Sequence, residues 1–225
     1  MPFIEKIFNP LSSFHHKRIF MYLKKLDIDK IIDIGAHKGE FLEKMLKIEK
    51  VNSFYAFEPQ KDIFDYLKKK FSQNSKITLM NYAADKEVGN KKLQINKLSM
   101  TSSLAEVNEK SFYFKFKNFL THSKSNFVDE YEVQTNTIDN VFKNTNLKKT
   151  LLKIDVEGFE MNVIKGSKIK LKEIPYIIIE NQFGNHYKNN NFNDIKYILL
   201  NYNFVVLKKF VFPTLHYQDV LFKKG

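Results

Sequence analysis

Hydrophobic positions along the chain alternate between two habits: short unbroken apolar runs, and stripes spaced three or four residues apart. The clearest unit spans Ile31 to Glu58. An apolar run at Ile31-Ile32 meets Asp33, then Gly35 and Gly39. Phe41, Leu42, Met45, Leu46 and Ile48 follow on one helical face, and a second run, Phe54 to Phe57, ends on Glu58. The order predicts strand, glycine turn, helix, strand and terminal acid, a nucleotide-binding βαβ unit. Gly35 lets the chain turn sharply off the strand, and Gly39 lets the first helical turn pack close to the sheet.

The same reading extends in both directions. Before the unit, Phe14, Ile19, Phe20, Tyr22, Leu23 and Leu26 predict a helix from about Ser12 to Leu26, packed on the sheet or covering a ligand. His15 and His16 are adjacent, do not share a helical face, and read as surface residues. After it come a helix bearing Ile63, Phe64, Leu67 and Phe71, a strand at Ile77 to Asn81, and a loop from Asn81 to Asp85. Val88-Gly89-Asn90 reads as a turn into a strand at Lys91 to Ile95. Residues 97–136 are less regular. Phe112, Phe114 and Phe116 alternate like a strand or hairpin, with a helix from Glu106 to Leu120 as the rival; the segment reads as a substrate lid, a packed satellite or an oligomer contact. Glu132 to Thr135 predicts a strand and residues 137–142 a short helix. Leu151 to Ile154 predicts a buried strand, followed by Asp155-Val156-Glu157-Gly158 and a short helix opened by Phe159 and closed at Gly166. A strand from Pro175 to Glu180, a helix over Phe192, Ile195, Ile198 and Leu199, and a strand pair at 204–207 and 219–222 complete an α/β pattern with an antiparallel edge.

Composition narrows the class. A chain of 225 residues suits one domain with a full core. It has no cysteine, which excludes disulfides and cysteine zinc sites and fits a reducing compartment. No apolar run approaches bilayer length and the start lacks a signal-peptide core, so a soluble, cytoplasmic protein without a transmembrane segment is expected. The net charge is +12, yet of 37 basic residues only Arg18 is arginine. Base readers rely on arginine forks, so no specific nucleic-acid partner is expected. The diffuse positive field could instead attract anionic substrates or an acidic membrane surface.

The candidate chemistry lies at strand ends. A dinucleotide turn needs three glycines so that amides can meet a pyrophosphate, but here Ala36-His37-Lys38 occupies the middle and Asp33 the strand end. A carboxylate there suits a cationic ligand without phosphates, and Glu58 is placed to accept hydrogen bonds from ribose hydroxyls. S-adenosylmethionine has both features. The bland rival is a tight turn that binds nothing. Asp155, Glu157 and Glu180 add three more strand-end acids, which carry a desolvation cost unless they meet a ligand, cation or base. Asp155 and Glu157 are two apart and would point the same way in an extended segment. An alcohol acceptor needs a general base, and the candidates are Glu157, Asp155 and, more distantly, His186. Glu157 could instead cap the following helix. A divalent cation held by Asp155, Glu157, Glu180 and His186 is a further rival; a cationic cofactor answers the acids without one, so no metal is expected.

Taken together, DIGAHKG (Asp33 to Gly39), FEP with Glu58, NYAAD with Ala83, SMTSSL with Ser103, TID with Asp139, KIDVEGFE with Asp155, Glu157 and Gly158, IIIE with Glu180 and the closing QDVLF resemble the FkbM family of S-adenosylmethionine-dependent methyltransferases. The resemblance covers roughly Ile31 to Phe222. It implies a Rossmann-like class I methyltransferase fold: a mostly parallel seven-stranded sheet with an antiparallel C-terminal strand and helices on both faces. It implies O-methylation of a sugar hydroxyl, as in surface polysaccharide, or of a natural product, and hence a small-molecule or glycan acceptor. Cofactor contacts would fall to Asp33, Gly35, Ala36, Gly39, Glu58, Ala83, Ser103 and Asp155. Residues 1–29 would form a helical extension to a methyltransferase domain at 30–225, with 97–136 inserted over the substrate. An RNA methyltransferase and a non-catalytic cofactor-binding module with the same fold are the alternatives.

Overall fold

The structure, a computed structural model, describes residues 3–96, 104, 127–183, 191–214 and 217–225. In chain order the elements are α1 (Phe3–Leu23), β1 (Lys30–Ile34), α2 (Glu40–Met45), β2 (Ser53–Phe57), α3 (Lys61–Lys70), β3 (Ile77–Met80), β4 (Ala83–Ala84), β5 (Gly89–Asn96), β6 (Phe127–Asn136), α4 (Ile138–Val141), β7 (Thr150–Ile154), α5 (Glu160–Lys165), a 3-10 turn (Lys170–Lys172), β8 (Tyr176–Gln182), α6 (Phe192–Asn201), β9 (Phe204–Val211) and β10 (Tyr217–Lys224).

Seven strands form one sheet in the order β3-β2-β1-β7-β8-β10-β9. All adjacent pairs are parallel except those made by β10, which runs antiparallel to both β8 and β9. The expected reversed strand is therefore present, and with β9 it forms the antiparallel pair expected at this edge of the sheet. β10 is inserted between β8 and β9, where Asp219 to Phe222 are buried, and β9 takes the edge. The two-residue period sorts the core into two layers. Ile31, Leu151, Ile178 and Leu221 face Ile19 and Leu23 of α1, Phe41, Leu42 and Met45 of α2 and Leu67 of α3. Ile32, Ile34, Leu152, Ile154, Ile177 and Ile179 face Ile138 of α4, Val163 and Ile164 of α5 and Ile195 and Leu199 of α6. Helices thus cover both faces of a buried, mostly parallel sheet.

Several local expectations change. α1 begins before Pro10 and runs through it rather than starting at Ser12; one proline removes a single amide donor, and the buried stripe through Ile19 and Leu23 anchors the rest. Asn81 to Asp85 is not all loop: Ala83–Ala84 pairs with Thr135 and Asn136 of β6 in a second, three-stranded sheet, β4-β6-β5. Gly89 and Asn90 belong to β5 itself, opposite Thr135 and Gln134. Gly166 does end α5, but at φ −86, so left-handed geometry does not explain it. A Cβ there would lie 1.9 Å from the Asp85 carbonyl oxygen, and close approach is the reason for glycine. The Phe112, Phe114 and Phe116 alternation lies outside the described residues.

Candidate active site

The acids flagged in the sequence gather at the carboxyl ends of β1, β2, β7 and β8, beside the point where the chain leaves β1 for β2 on one side and β7 adjoins it on the other. Ligands bind at such a switch point in open α/β sheets.

The glycine turn is closed on itself. Gly35 has φ +82, and a Cβ there would sit 1.9 Å from the Asp155 carbonyl oxygen, so the ends of β1 and β7 approach too closely for any side chain. Gly39, at φ +79, faces Phe71 and Leu67, and a Cβ there would lie 2.7 Å from the Phe71 ring; its close packing is against α3, not the sheet. The amides of Gly35 and Ala36 both donate to the Phe57 carbonyl at 3.1 and 3.0 Å, and Gly39 N donates to the Ala36 carbonyl at 2.8 Å. His37 N, at a residue with φ +46, donates to Glu58 Oε2 at 2.9 Å. These amides are committed within the protein, which disfavours a pyrophosphate cradle.

Glu58 is held from two sides, its Oε1 accepting from Gln60 N at 2.8 Å and its Oε2 from His37 N. Burial nevertheless pushes its carboxyl up to about 7. Each oxygen retains a lone pair, so the group can still accept from a vicinal diol.

Asp33 is fully buried. It lies directly opposite Lys153 in the β1–β7 register, and Lys153 Nζ stands 2.9 Å from Asp33 Oδ1 and 3.2 Å from Asp155 Oδ2. The same ammonium donates to the Gly35 carbonyl at 3.3 Å and lies over the Phe41 ring. Burial alone would lower the lysine, but Asp155 and Asp33 hold it above its ordinary value, so it stays charged. Burial pushes Asp33 up. Asp33 therefore already has a protein cation beside it, while its Oδ2 is buried without a hydrogen-bond partner. Sequence reasoning missed Lys153; a lysine inside the otherwise apolar run Leu151 to Ile154 was the available signal.

On the other side of the switch point, carboxylate oxygens of Asp155, Glu157 and Glu180 lie within 4.8 Å of one another. They converge through a turn rather than through strand alternation, because Glu157 has φ +53 and Gly158 φ +95. Gln182 Nε2 donates to Glu157 Oε2 at 2.6 Å and to Glu180 Oε1 at 3.0 Å. Burial, then the charges of Asp155, Glu157 and Asp219, push Glu180 well above the usual carboxylate range. The helix that follows has Phe159 at its N-cap with no side-chain cap bond, and Glu160, its first residue, reaches back to brace the turn, its Oε1 accepting from Val156 N at 3.3 Å and Gly158 N at 3.1 Å. Asp139 is likewise structural, accepting from the amides of Ile169 and Lys170.

β10 and α1 close the far wall. Asp219 is paired with Glu180, and Tyr217 with Gln182, across the β8–β10 ladder. The His15 ring, which the sequence placed at the surface, is fully buried with Nε2 2.6 Å from Asp219 Oδ2. His16 turns instead toward the Phe41 ring, and burial lowers it to about 4, so it is neutral at physiological pH. Neither Gln182, Tyr217, Asp219 nor His15 was legible as a site residue, since each acquires its place from strand pairing far along the chain. Ala83 is buried in the small sheet, and Asp85 below it is tied to Lys91 Nζ at 2.6 Å and Asn162 Nδ2 at 3.1 Å. Ser103 and His186 lie outside the described residues. An open cleft of about 540 Å³ near Leu46, Lys70 and Lys76 belongs to the opposite, amino-terminal end of the strands.

The donor set is thus carboxylate-rich and poor in free amides: it suits a cationic ligand bearing a diol and offers little to a diphosphate. Solved structures share the fold. The methyltransferase domain of bacterial CtHen1-C is 12% identical, with a TM-score of 0.55 over 96% of this chain and 99% of that one. The Streptococcus pneumoniae protein Sp1610, a putative tRNA (m1A22) methyltransferase in complex with S-adenosyl-L-methionine, is 10% identical, with a TM-score of 0.54 over 92% of this chain and 71% of that one. The putative methyltransferase yhhF from Escherichia coli is 9% identical, with a TM-score of 0.52 over 94% and 85%. No curated protein matches the chain. The family model of the methyltransferase FkbM domain matches residues 33–206. With that match over most of its length, the chain belongs to the FkbM family of S-adenosylmethionine-dependent methyltransferases.

Proposed function

We propose that this methyltransferase O-methylates a hydroxyl of a neutral, hydroxyl-rich acceptor such as a sugar, with Glu157 as the general base. The observation that carries the reading is the convergence of Asp155, Glu157 and Glu180, bridged by Gln182, beside the glycine turn. Carboxylates with a neighbouring amide suit sugar hydroxyls, which both donate and accept. Asp155, Glu157 and Asp219 would repel a nucleic-acid backbone at the same place, which disfavours the RNA alternative despite the net charge of +12.

In this reading Glu58 accepts from the ribose of the cofactor, and Gly35, Ala36 and Gly39 shape the wall against which it lies. Ala83 lies further along, beyond β3, toward the expected adenine side. Asp155 and the orphaned Oδ2 of Asp33 face its cationic methionine end, with Lys153 holding both acids in place. When bound, S-adenosylmethionine supplies a methyl group on a positively charged sulfur that leaves as a neutral thioether. The chain's share is positioning and proton removal. As the acceptor oxygen forms its bond to the methyl carbon, its proton passes to the Glu157 carboxylate. Gln182 Nε2 donates to both Glu157 Oε2 and Glu180 Oε1 and so steadies the pair, while Glu180 is pushed up by burial and by its acidic neighbours and leaves Glu157 as the acceptor of the proton. His186 remains a further candidate for the base.

The test is methyl transfer from tritiated S-adenosylmethionine to a panel of nucleotide sugars and glycosides, with polyuridylate alongside. Glu157→Gln should lower turnover about a hundredfold or more while cofactor affinity stays nearly unchanged. Equal loss of turnover and affinity sinks the base assignment, and label found only in the RNA sinks the acceptor assignment.

A further inference from the structure

α1 has two faces, and only one is used by the core. Ile19 and Leu23 are buried and His15 reaches Asp219, while Phe14 is 56% and Met21 44% exposed. Lys17, Arg18, Lys24 and Lys25 are exposed beside them. At 3.6 residues per turn, Phe14, Lys17, Arg18 and Met21 fall within about 100° of arc, and Lys25 follows in the turn after the helix. The chain has no Asp or Glu from Lys6 to Leu26, so no carboxylate on the helix neutralises this stripe there. Arg18 ties the helix to the edge strand by donating to the Val211 carbonyl at 2.9 Å, and that strand carries exposed Val205, Val206, Lys208 and Lys209.

Cations flanking large exposed apolar side chains on one helical face are the chemistry of an interfacial helix, whose lysine stems reach the headgroups while the apolar residues enter the acyl boundary. A nucleic acid would use the cations and would have no use for an exposed methionine. We infer that α1 docks this enzyme on an anionic lipid surface through Phe14, Lys17, Arg18 and Met21. Among the described residues no helix is long and apolar enough to cross a membrane, so the contact is peripheral. His15, one residue along the same helix from Phe14, bonds Asp219 at the wall of the site, so the docking stripe and the site share α1. The inference stands apart from the acceptor assignment, because its readout is binding.

The test is co-sedimentation of the full chain with vesicles of phosphatidylcholine alone and of phosphatidylcholine with phosphatidylglycerol, at rising salt, and with polyuridylate in parallel. The expected result is binding to the anionic vesicles that weakens with salt and is absent on phosphatidylcholine alone. Each cation contributes about fivefold in partition, so Lys17→Glu with Arg18→Glu should lose at least about twenty-five-fold. Phe14→Ser with Met21→Ser should lose on the order of tenfold. Both pairs of side chains are exposed, and unchanged thermal unfolding verifies that the variants are folded. Absence of vesicle binding, equal binding to neutral vesicles, or variants that partition like the parent overturns the inference. So does tight polyuridylate binding that the Lys17→Glu/Arg18→Glu variant alone abolishes while Phe14→Ser/Met21→Ser keeps it.

Discussion

Glu58 supplies the sharpest quantitative prediction. Its carboxyl is pushed up to about 7 from the ordinary 4.5 by burial, against the pull of two backbone amides. A pair of ribose hydroxyls donates best to the ionised form, which has more acceptor sites and makes charge-assisted bonds. Cofactor binding should therefore favour ionised Glu58 and expel a proton when the free protein carries one. One pH unit below 7 about nine molecules in ten are protonated, so affinity should fall about tenfold per unit there and level off above. Isothermal titration of S-adenosylmethionine in two buffers of different ionisation enthalpy measures the proton released directly. Glu58→Gln should abolish the pH dependence and weaken plateau affinity by about 1.5–3 kcal/mol, the worth of hydrogen bonds to a charged group. The linkage has a second face. A carboxyl raised on folding binds its proton more tightly in the native state, so its contribution is present below the unfolded value and is lost as pH rises through about 7. The gap between 4.5 and about 7 is worth about 3 kcal/mol of unliganded stability. A cofactor affinity flat from mildly acidic to mildly alkaline pH, with no proton released, would refute the placement of Glu58 at the ribose.

Three further outcomes follow from the geometry. Lys153→Met strands two carboxylates, one fully buried, and should cost about 3–5 kcal/mol in chemical denaturation; adding Asp33→Asn should recover part of it, and a double variant no more stable than the single one would count against the ion pair. Gly35→Ala must both hold a left-handed backbone and displace the Asp155 carbonyl from 1.9 Å, so a loss of at least about 2 kcal/mol with collapse of cofactor binding is expected; a variant that melts like the parent argues against this turn. His15→Ala leaves Asp219 unpaired beside Glu180 and should destabilise by about 2–3 kcal/mol, read as a lower melting temperature, with His15→Phe no rescue because it cannot bond the carboxylate.

What the sequence determined by itself is whatever depends on neighbours in the chain. The apolar run, the glycine turn and the helical face from Ile31 to Glu58 form β1, α2 and β2 because period and turn chemistry are local. The strand-end acids Asp33, Glu58, Asp155 and Glu180 were legible for the same reason: a carboxylate closing an apolar run must lie at a sheet end. The tertiary structure decided everything that depends on pairing between distant segments. It set Lys153 opposite Asp33, turning an apparently free acid into half of an ion pair. It drew β10 between β8 and β9, which brought Asp219 to Glu180 and buried His15 on a helix some 200 residues away in sequence. It also gave Gly166 its reason, a carbonyl from the Asp85 turn that no local pattern predicts. Burial then fixed the chemistry, since removing water raises Glu58 and Glu180 by amounts that no side chain announces in sequence.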